Sequence, residues 1–130
     1  MGDFSLSVRS HDQMIGIDDR LILLANHAID LTRVDFGVPE TGGFRTKEDQ
    51  ALLYRQNKSN CDGVSKLSNH QKGRALDFYA YADGKASWQK EHLSQVAAAF
   101  LQAAIELKIN IRWGGLFRSF ADFPHIELVD

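Results

Sequence analysis

The spacing of apolar positions changes several times along this chain, and each change marks an element. Leu21, Leu24, Ala25, Ala28, Ile29 and Thr32 recur at helical spacing, and Asp18 or Asp19 stands ready as a cap. This predicts a helix over residues 18–32. Val34 to Val38 alternate as a short strand does, and Thr41-Gly42-Gly43 reads as a turn. Thr46 and Asp49 have the spacing of a capping box, so a second helix begins there and runs on through Ala51, Leu52, Tyr54 and Arg55. Residues 57–69 are polar, contain Gly63, and read as a loop.

Period two returns from Arg74 to Tyr81. One strand over this range puts Ala75, Asp77, Tyr79 and Tyr81 on one face and Leu76, Phe78 and Ala80 on the other. Asp83-Gly84 is a turn signal. Ser87 is the expected cap of the longest helix, which runs to about Leu107 with Leu93, Val96, Ala97, Phe100, Ala104 and Leu107 facing inward. Ile109 to Trp113 reads as a strand broken by Gly114-Gly115, and His125 to Val129 as the final one. The order of elements predicts an α+β protein: a small antiparallel sheet packed against helices on one side. There are no repeats and no Pro- or Ser-rich linker, so a single domain over residues 1–130 is expected.

Composition narrows the function classes. The chain is 44% hydrophobic and 25% charged, enough for one real core. A net charge of -2, without a Lys/Arg run interleaved with aromatics, speaks against nucleic acid or an anionic membrane as partner. No apolar run approaches the ~20 residues of a membrane span, and the first ten residues lack a hydrophobic signal core. The expectation is a cytoplasmic protein, monomeric, that stays inside unless another factor releases it. The single cysteine, Cys61, has no internal disulfide partner and reads as an incidental loop thiol.

The densest chemical signal is Ser68-Asn69-His70-Gln71-Lys72-Gly73-Arg74-Ala75-Leu76-Asp77. His70 ends the loop and Asp77 lies in the strand after it. An imidazole nitrogen and a carboxylate oxygen meet one Zn²⁺ at ~2.0–2.2 Å if Gly73 lets the chain turn between them. An Asp inside a strand is itself unusual, because strands disfavour it. A second cluster, Asp122-Phe123-Pro124-His125-Ile126-Glu127, offers His125 as a third ligand and Asp122 as a carboxylate able to take a proton from water. Blander readings stand beside these. A histidine on a half-buried strand is commonly hydrogen-bonded structure. Ser68 reads equally as a turn residue, and Arg45 as a residue at a helix start. Trp113 and Phe120 read as core. Glu127 is either a second acid or a group that orients a neighbour. His11, His27 and His92 match no motif.

Ser68-x-His70-x-x-Gly73-x-Ala75-x-Asp77 resembles the signature of the D-alanyl-D-alanine peptidase clan, the LAS-type or M15 family. Asp122-x-Pro124-His125 resembles its second element, and Gly43-Phe44-Arg45-Thr46 its upstream G-x-R-[ST] element. Trp113-Gly114-Gly115 and Ser119-Phe120 are similar to the stretch before the last histidine in phage endolysins that cut L-alanyl-D-glutamate bonds. The matches run in order from Gly43 to Leu128. The resemblance implies the Hedgehog/DD-peptidase fold and a zinc ion on His70, Asp77 and His125. It implies Asp122 as catalytic acid/base, Arg45 as a cation near the substrate carboxylate or the developing oxyanion, and Ser68 as a substrate or supporting contact. Carboxypeptidase and dipeptidase branches usually carry Glu at the position of Asp122, and the shorter acid fits the phage endopeptidase branch better.

The expectation is therefore a zinc peptidase acting on the peptidoglycan stem peptide, an endolysin of phage or prophage origin cutting the L-alanyl-D-glutamate bond. A membrane-permeabilising protein of the holin kind would have to release it. The rivals are a D-alanyl-D-alanine carboxypeptidase and a non-catalytic wall-binding module that keeps zinc for structure.

Overall fold

Side-chain caps open the first three helices. In a computed structural model that describes residues 2–130, the Ser7 hydroxyl accepts from the Ser10 amide and starts α1 (Val8–Gln13). Asp18 caps α2 (Asp19–Leu31) through the Arg20 amide. Thr46 and Asp49 close both bonds of the capping box at the head of α3 (Lys47–Arg55). The longest helix, α4 (Lys90–Leu107), is different. Ser87 does not cap it: Gln89 holds that position without a side-chain bond, and Ser87 ends a strand with its hydroxyl against His92 Nδ1. The helix α1 and the strand β4 (Lys85–Ser87) lie outside the elements the periodicity predicts.

The strand expected over 74–81 is two strands. β2 (Ala75–Asp77) and β3 (Tyr79–Ala82) belong to different sheets and part at Phe78. There the Phe78 amide leaves the ladder and donates to the Pro124 carbonyl at 2.9 Å. One sheet has the order β1-β3-β4, with β1 at Asp35–Gly37 and the Asp83-Gly84 turn joining β3 to β4. The other has the order β2-β6-β5, with β5 at Ile111–Trp113 and β6 at His125–Leu128. All pairings are antiparallel, so the α+β class holds with the sheet divided in two.

Both sheets share one core with α2 and α4. Leu21, Leu24, Ala25, Ala28 and Ile29 of α2 meet Leu93, Val96, Ala97, Phe100 and Ala104 of α4, all buried. Phe78 and Phe100 stack at 5.3 Å between centroids, and Phe36 joins them at 5.1 Å from Phe100. A large buried side chain of this kind stabilises a fold by about 1.5–3 kcal/mol relative to exposure. Phe78 therefore anchors the residue at which the chain changes sheets. α3 departs from its pattern: Leu52 and Tyr54 are exposed, and its one buried residue is Gln50. No helix among the described residues is long and apolar enough to cross a membrane.

Candidate active site

Register brings the candidate ligands together. Asp77 of β2 sits directly opposite His125 of β6, and Leu76 opposite Ile126. Side chains alternate across a sheet, so Leu76 and Ile126 fill the core while Asp77, His125 and Glu127 share the other face. His70 arrives from the loop before β2. Gly73, with φ 71°, makes the turn between them in a backbone region an L side chain rarely adopts.

The three candidate ligands converge on one point. His70 Nε2 lies 3.2 Å from Asp77 Oδ1, and His125 Nδ1 lies 3.1 Å from the same oxygen. The two rings stand edge to face at 5.3 Å. The edge of a tetrahedron whose ligands sit at ~2.0–2.1 Å is roughly 3.3–3.4 Å, so the donor set suits an ion of that size. The nitrogen turned away from the cluster is held in each histidine. His70 Nδ1 is 2.9 Å from the Gly43 carbonyl, which only accepts, so Nδ1 donates there and Nε2 is the nitrogen turned to the cluster. His125 is the mirror case: Nε2 donates to Glu127 Oε1 at 2.8 Å and Nδ1 faces Asp77. Glu127 thus orients His125, the second of the two roles its position left open.

Electrostatics follow from this packing. Burial opposes ionisation of Asp77, but the charge on His70 and the bonds from both histidines outweigh it and hold the carboxyl well below the usual range. Burial likewise opposes a charge on His125, yet the bonds to Asp77 and Glu127 push it up to about 10. A metal ion entering here must displace that proton. Glu127 is held low by its bond from His125. Asp122 behaves in the opposite way. Burial, and then the Asp77 charge, lift its carboxyl above the ordinary value. Its side chain keeps 40% of its surface open, and Oδ2 stands 3.9 Å from His125 Nδ1.

The segment carrying Asp122 is placed by close backbone contact. Its amide donates to the Gly114 carbonyl at 2.8 Å, and a Cβ on Gly114 would lie 2.2 Å from the Asp122 carbonyl oxygen. Only glycine allows that approach, which explains the break after Trp113. The Trp113 indole N–H donates to the Phe123 carbonyl at 2.7 Å and fixes the far side of the same loop.

Arg45 lies deeper than a surface helix-start residue would. Nη2 donates to Asp77 Oδ2 at 3.0 Å, Nε to the Thr41 carbonyl at 2.8 Å and Nη1 to Gln50 Oε1 at 3.2 Å. Ser68 is buried and accepts from the Gln71 amide, shaping the turn that delivers His70. His70, Asp77, His125, Asp122, Arg45 and Ser68 all line one cleft of about 590 Å³. Phe120, expected in the core, is 66% exposed and lines it too, whereas Trp113 packs against the core. A larger groove of about 670 Å³ beside α4 and β5 is lined by no histidine or carboxylate, so the chemistry selects the smaller cleft. His27 pairs with Glu106 and His92 with Ser87, both apart from the cluster. Gln50 is the residue the sequence pattern missed; it links Arg45 to the loop through Cys61 and Ser59.

Comparison with known proteins fits this geometry. The family model described as phage L-alanyl-D-glutamate peptidase matches residues 1–129. The chain belongs to the phage L-alanyl-D-glutamate peptidase family. Its relatives in that activity include the L-alanyl-D-glutamate peptidase of Escherichia phage T5, 31% identical over 97% of this chain and 98% of the phage protein. The peptidoglycan L-alanyl-D-glutamate endopeptidase CwlK of Bacillus subtilis is 29% identical over 68% of this chain and 59% of its own length. The solved structure of the L-Ala D-Glu endopeptidase ChiX of Serratia marcescens superposes with a TM-score of 0.84 at 29% identity, covering 98% of this chain and 92% of that one. The chain is a peptidase with a His/Asp group able to hold a metal ion.

Proposed function

We propose that this protein is a zinc-dependent endopeptidase that cuts the L-alanyl-D-glutamate bond of the peptidoglycan stem peptide, working as one domain and as a monomer. The observation that carries the reading is the meeting of His70 Nε2 and His125 Nδ1 on Asp77 Oδ1, with the open carboxylate of Asp122 beside them. Two imidazoles and one carboxylate leave a coordination position free, as catalytic zinc sites do and closed structural ones do not. When bound, the ion supplies Lewis acidity to the scissile carbonyl and acidifies the attacking water.

The protein's own groups do the rest. Asp122 accepts the proton of the water that attacks the L-alanyl carbonyl carbon. As the C–N bond breaks, it returns a proton to the D-glutamyl amine. Its partial exposure to the cleft and its raised carboxyl suit a group that alternates between the two states. Arg45 holds Asp77 from behind, Gly43 and Glu127 hold the two imidazoles, and Ser68 shapes the turn at His70. On this reading a separate permeabilising factor gives the protein access to the wall. Digestion of purified peptidoglycan tests the assignment. New N-terminal D-glutamate with intact sugar strands supports it; free D-alanine as the main product would replace it with the carboxypeptidase reading.

A further inference from the structure

All three guanidinium nitrogens of Arg45 already donate within the protein, to Asp77, Thr41 and Gln50, and its side chain is only 12% exposed. Three of its five N–H donors are spent and little of the side chain reaches the cleft surface, so exposed cations are the readier partners of a substrate carboxylate. Lys58, Lys66 and Lys72 line the same cleft and are exposed. Arg20, Arg45, Arg74 and Arg112 each pair with a carboxylate, but none of these three lysines forms a salt bridge among the described residues. Of the cleft's three acids, Asp77 and Glu127 are taken by the histidines, and Asp122 stands with Oδ2 3.9 Å from His125 Nδ1 and pairs with none of the lysines. In a chain of net charge -2, three unpaired cations around one cleft run against the overall balance.

The wall that carries two of them is tied down. Gln50, fully buried, donates to Ser59 Oγ at 2.7 Å and to the Cys61 carbonyl at 2.8 Å. Asp62 Oδ1 accepts from the amides of Val64, Ser65 and Lys66, each at 2.9 Å. Gln71 Nε2 donates to the Gly63 carbonyl at 3.1 Å. Lys72 follows His70 by two residues. A fixed backbone with mobile ammonium tips collects anions without demanding one ligand geometry.

We propose that Lys58, Lys66 and Lys72 form a rim that recognises the free α-carboxylate of the D-glutamyl residue and makes the enzyme prefer stem peptides in which that group is not amidated. The inference rests on the endopeptidase reading, in which D-glutamate, linked onward through its side-chain carboxyl, leaves its α-carboxylate free beside the scissile bond. Arg45 is then a positioning residue acting through Asp77.

The test uses zinc-loaded full-length protein and two synthetic stem tripeptides, one with D-glutamate and one with its α-amide. Cleavage is followed by release of L-alanine, and binding to the Asp122→Asn protein by calorimetry. The rim predicts that the free acid is preferred by about tenfold or more, mainly in KM, and that rising salt erodes the preference. In the Lys58→Gln/Lys66→Gln/Lys72→Gln variant, with zinc content unchanged, the preference collapses toward one in both cleavage and binding. An undiminished preference in that variant, or equal binding of the two peptides to the parent protein, overturns the rim. Failure to cleave either peptide overturns the endopeptidase reading instead, and the binding ratio still decides the rim.

Discussion

The two sheets of this molecule each have three short antiparallel strands, and each turns one face to the same core. In the sheet β1-β3-β4 the buried pair is Phe36 opposite Ala80, and the outer face carries Tyr79 and Tyr81, with Trp88 6.0 Å from the Tyr79 ring. In the sheet β2-β6-β5 the buried pair is Leu76 opposite Ile126, and the outer face carries Asp77, His125 and Glu127. One alternation running through residues 75–82 supplies both outer faces. What separates them is the strand across: Asp77 finds a histidine opposite, whereas Tyr81 finds Asp35 and Ala86. A face able to hold a metal ion arises from register, once a loop and a buried arginine close around it.

Removing one ligand breaks the contrast most completely. His125→Ala should leave His70 and Asp77 alone, abolish tight zinc binding and eliminate wall cleavage, as elemental analysis and a lysis assay would report. The joint between the sheets comes next. Phe78→Ala opens the aromatic cluster and should cost about 3–5 kcal/mol in denaturant unfolding, loosening both sheets together.

Asp122→Asn separates chemistry from metal binding. Zinc should stay bound while the rate falls by ~10²–10⁴, the usual worth of a general base. The same variant carries a pH signature. A carboxyl raised by burial favours the native state only when protonated, below the unfolded value of ~3.9, and that contribution is lost as pH rises through the higher folded value. At neutral pH the metal-free parent therefore holds a charge at a cost that Asn avoids. The metal-free variant should melt higher than its parent at pH 7, with the gap closing in acid.

Glu127→Gln is the mildest change. It keeps the bond to His125 Nε2 but removes its charge, and should weaken zinc by ~10–100-fold in a competition titration. As the matching control on the other sheet, Tyr81→Ala should leave zinc affinity and cleavage unaltered.

How much of this was legible depends on how local the cause is. The caps at Asp18 and Thr46 and the turn at Gly73 are set by neighbours in sequence, and the structure has them where the spacing put them. The convergence of residues 45, 68, 70, 77, 122 and 125 on one cleft was also legible: residues 68–77 lie in one motif that spans a turn and a strand, and the resemblance of the segments at 43–46 and 122–125 to the peptidase clan brought in the rest. Three features were not. The break at Phe78 leaves the alternation untouched, since it comes from Pro124 accepting the Phe78 amide across the fold. Ser87 looked like a cap because it precedes a long helix, but strand pairing with Ala80 claimed it. The helix α3 buries Gln50 rather than Leu52 or Tyr54, because Arg45 and the loop need a polar partner beneath them. That need exists only in three dimensions.

Titrating metal-free protein with zinc, while bound metal and peptidoglycan cleavage are recorded together, decides whether this face is a catalytic metal centre. A catalytic centre gives no cleavage without metal, a rise in step with bound zinc, and saturation of both at about one equivalent per chain. Full cleavage by the metal-free protein, or zinc bound at one equivalent without any cleavage, would contradict it.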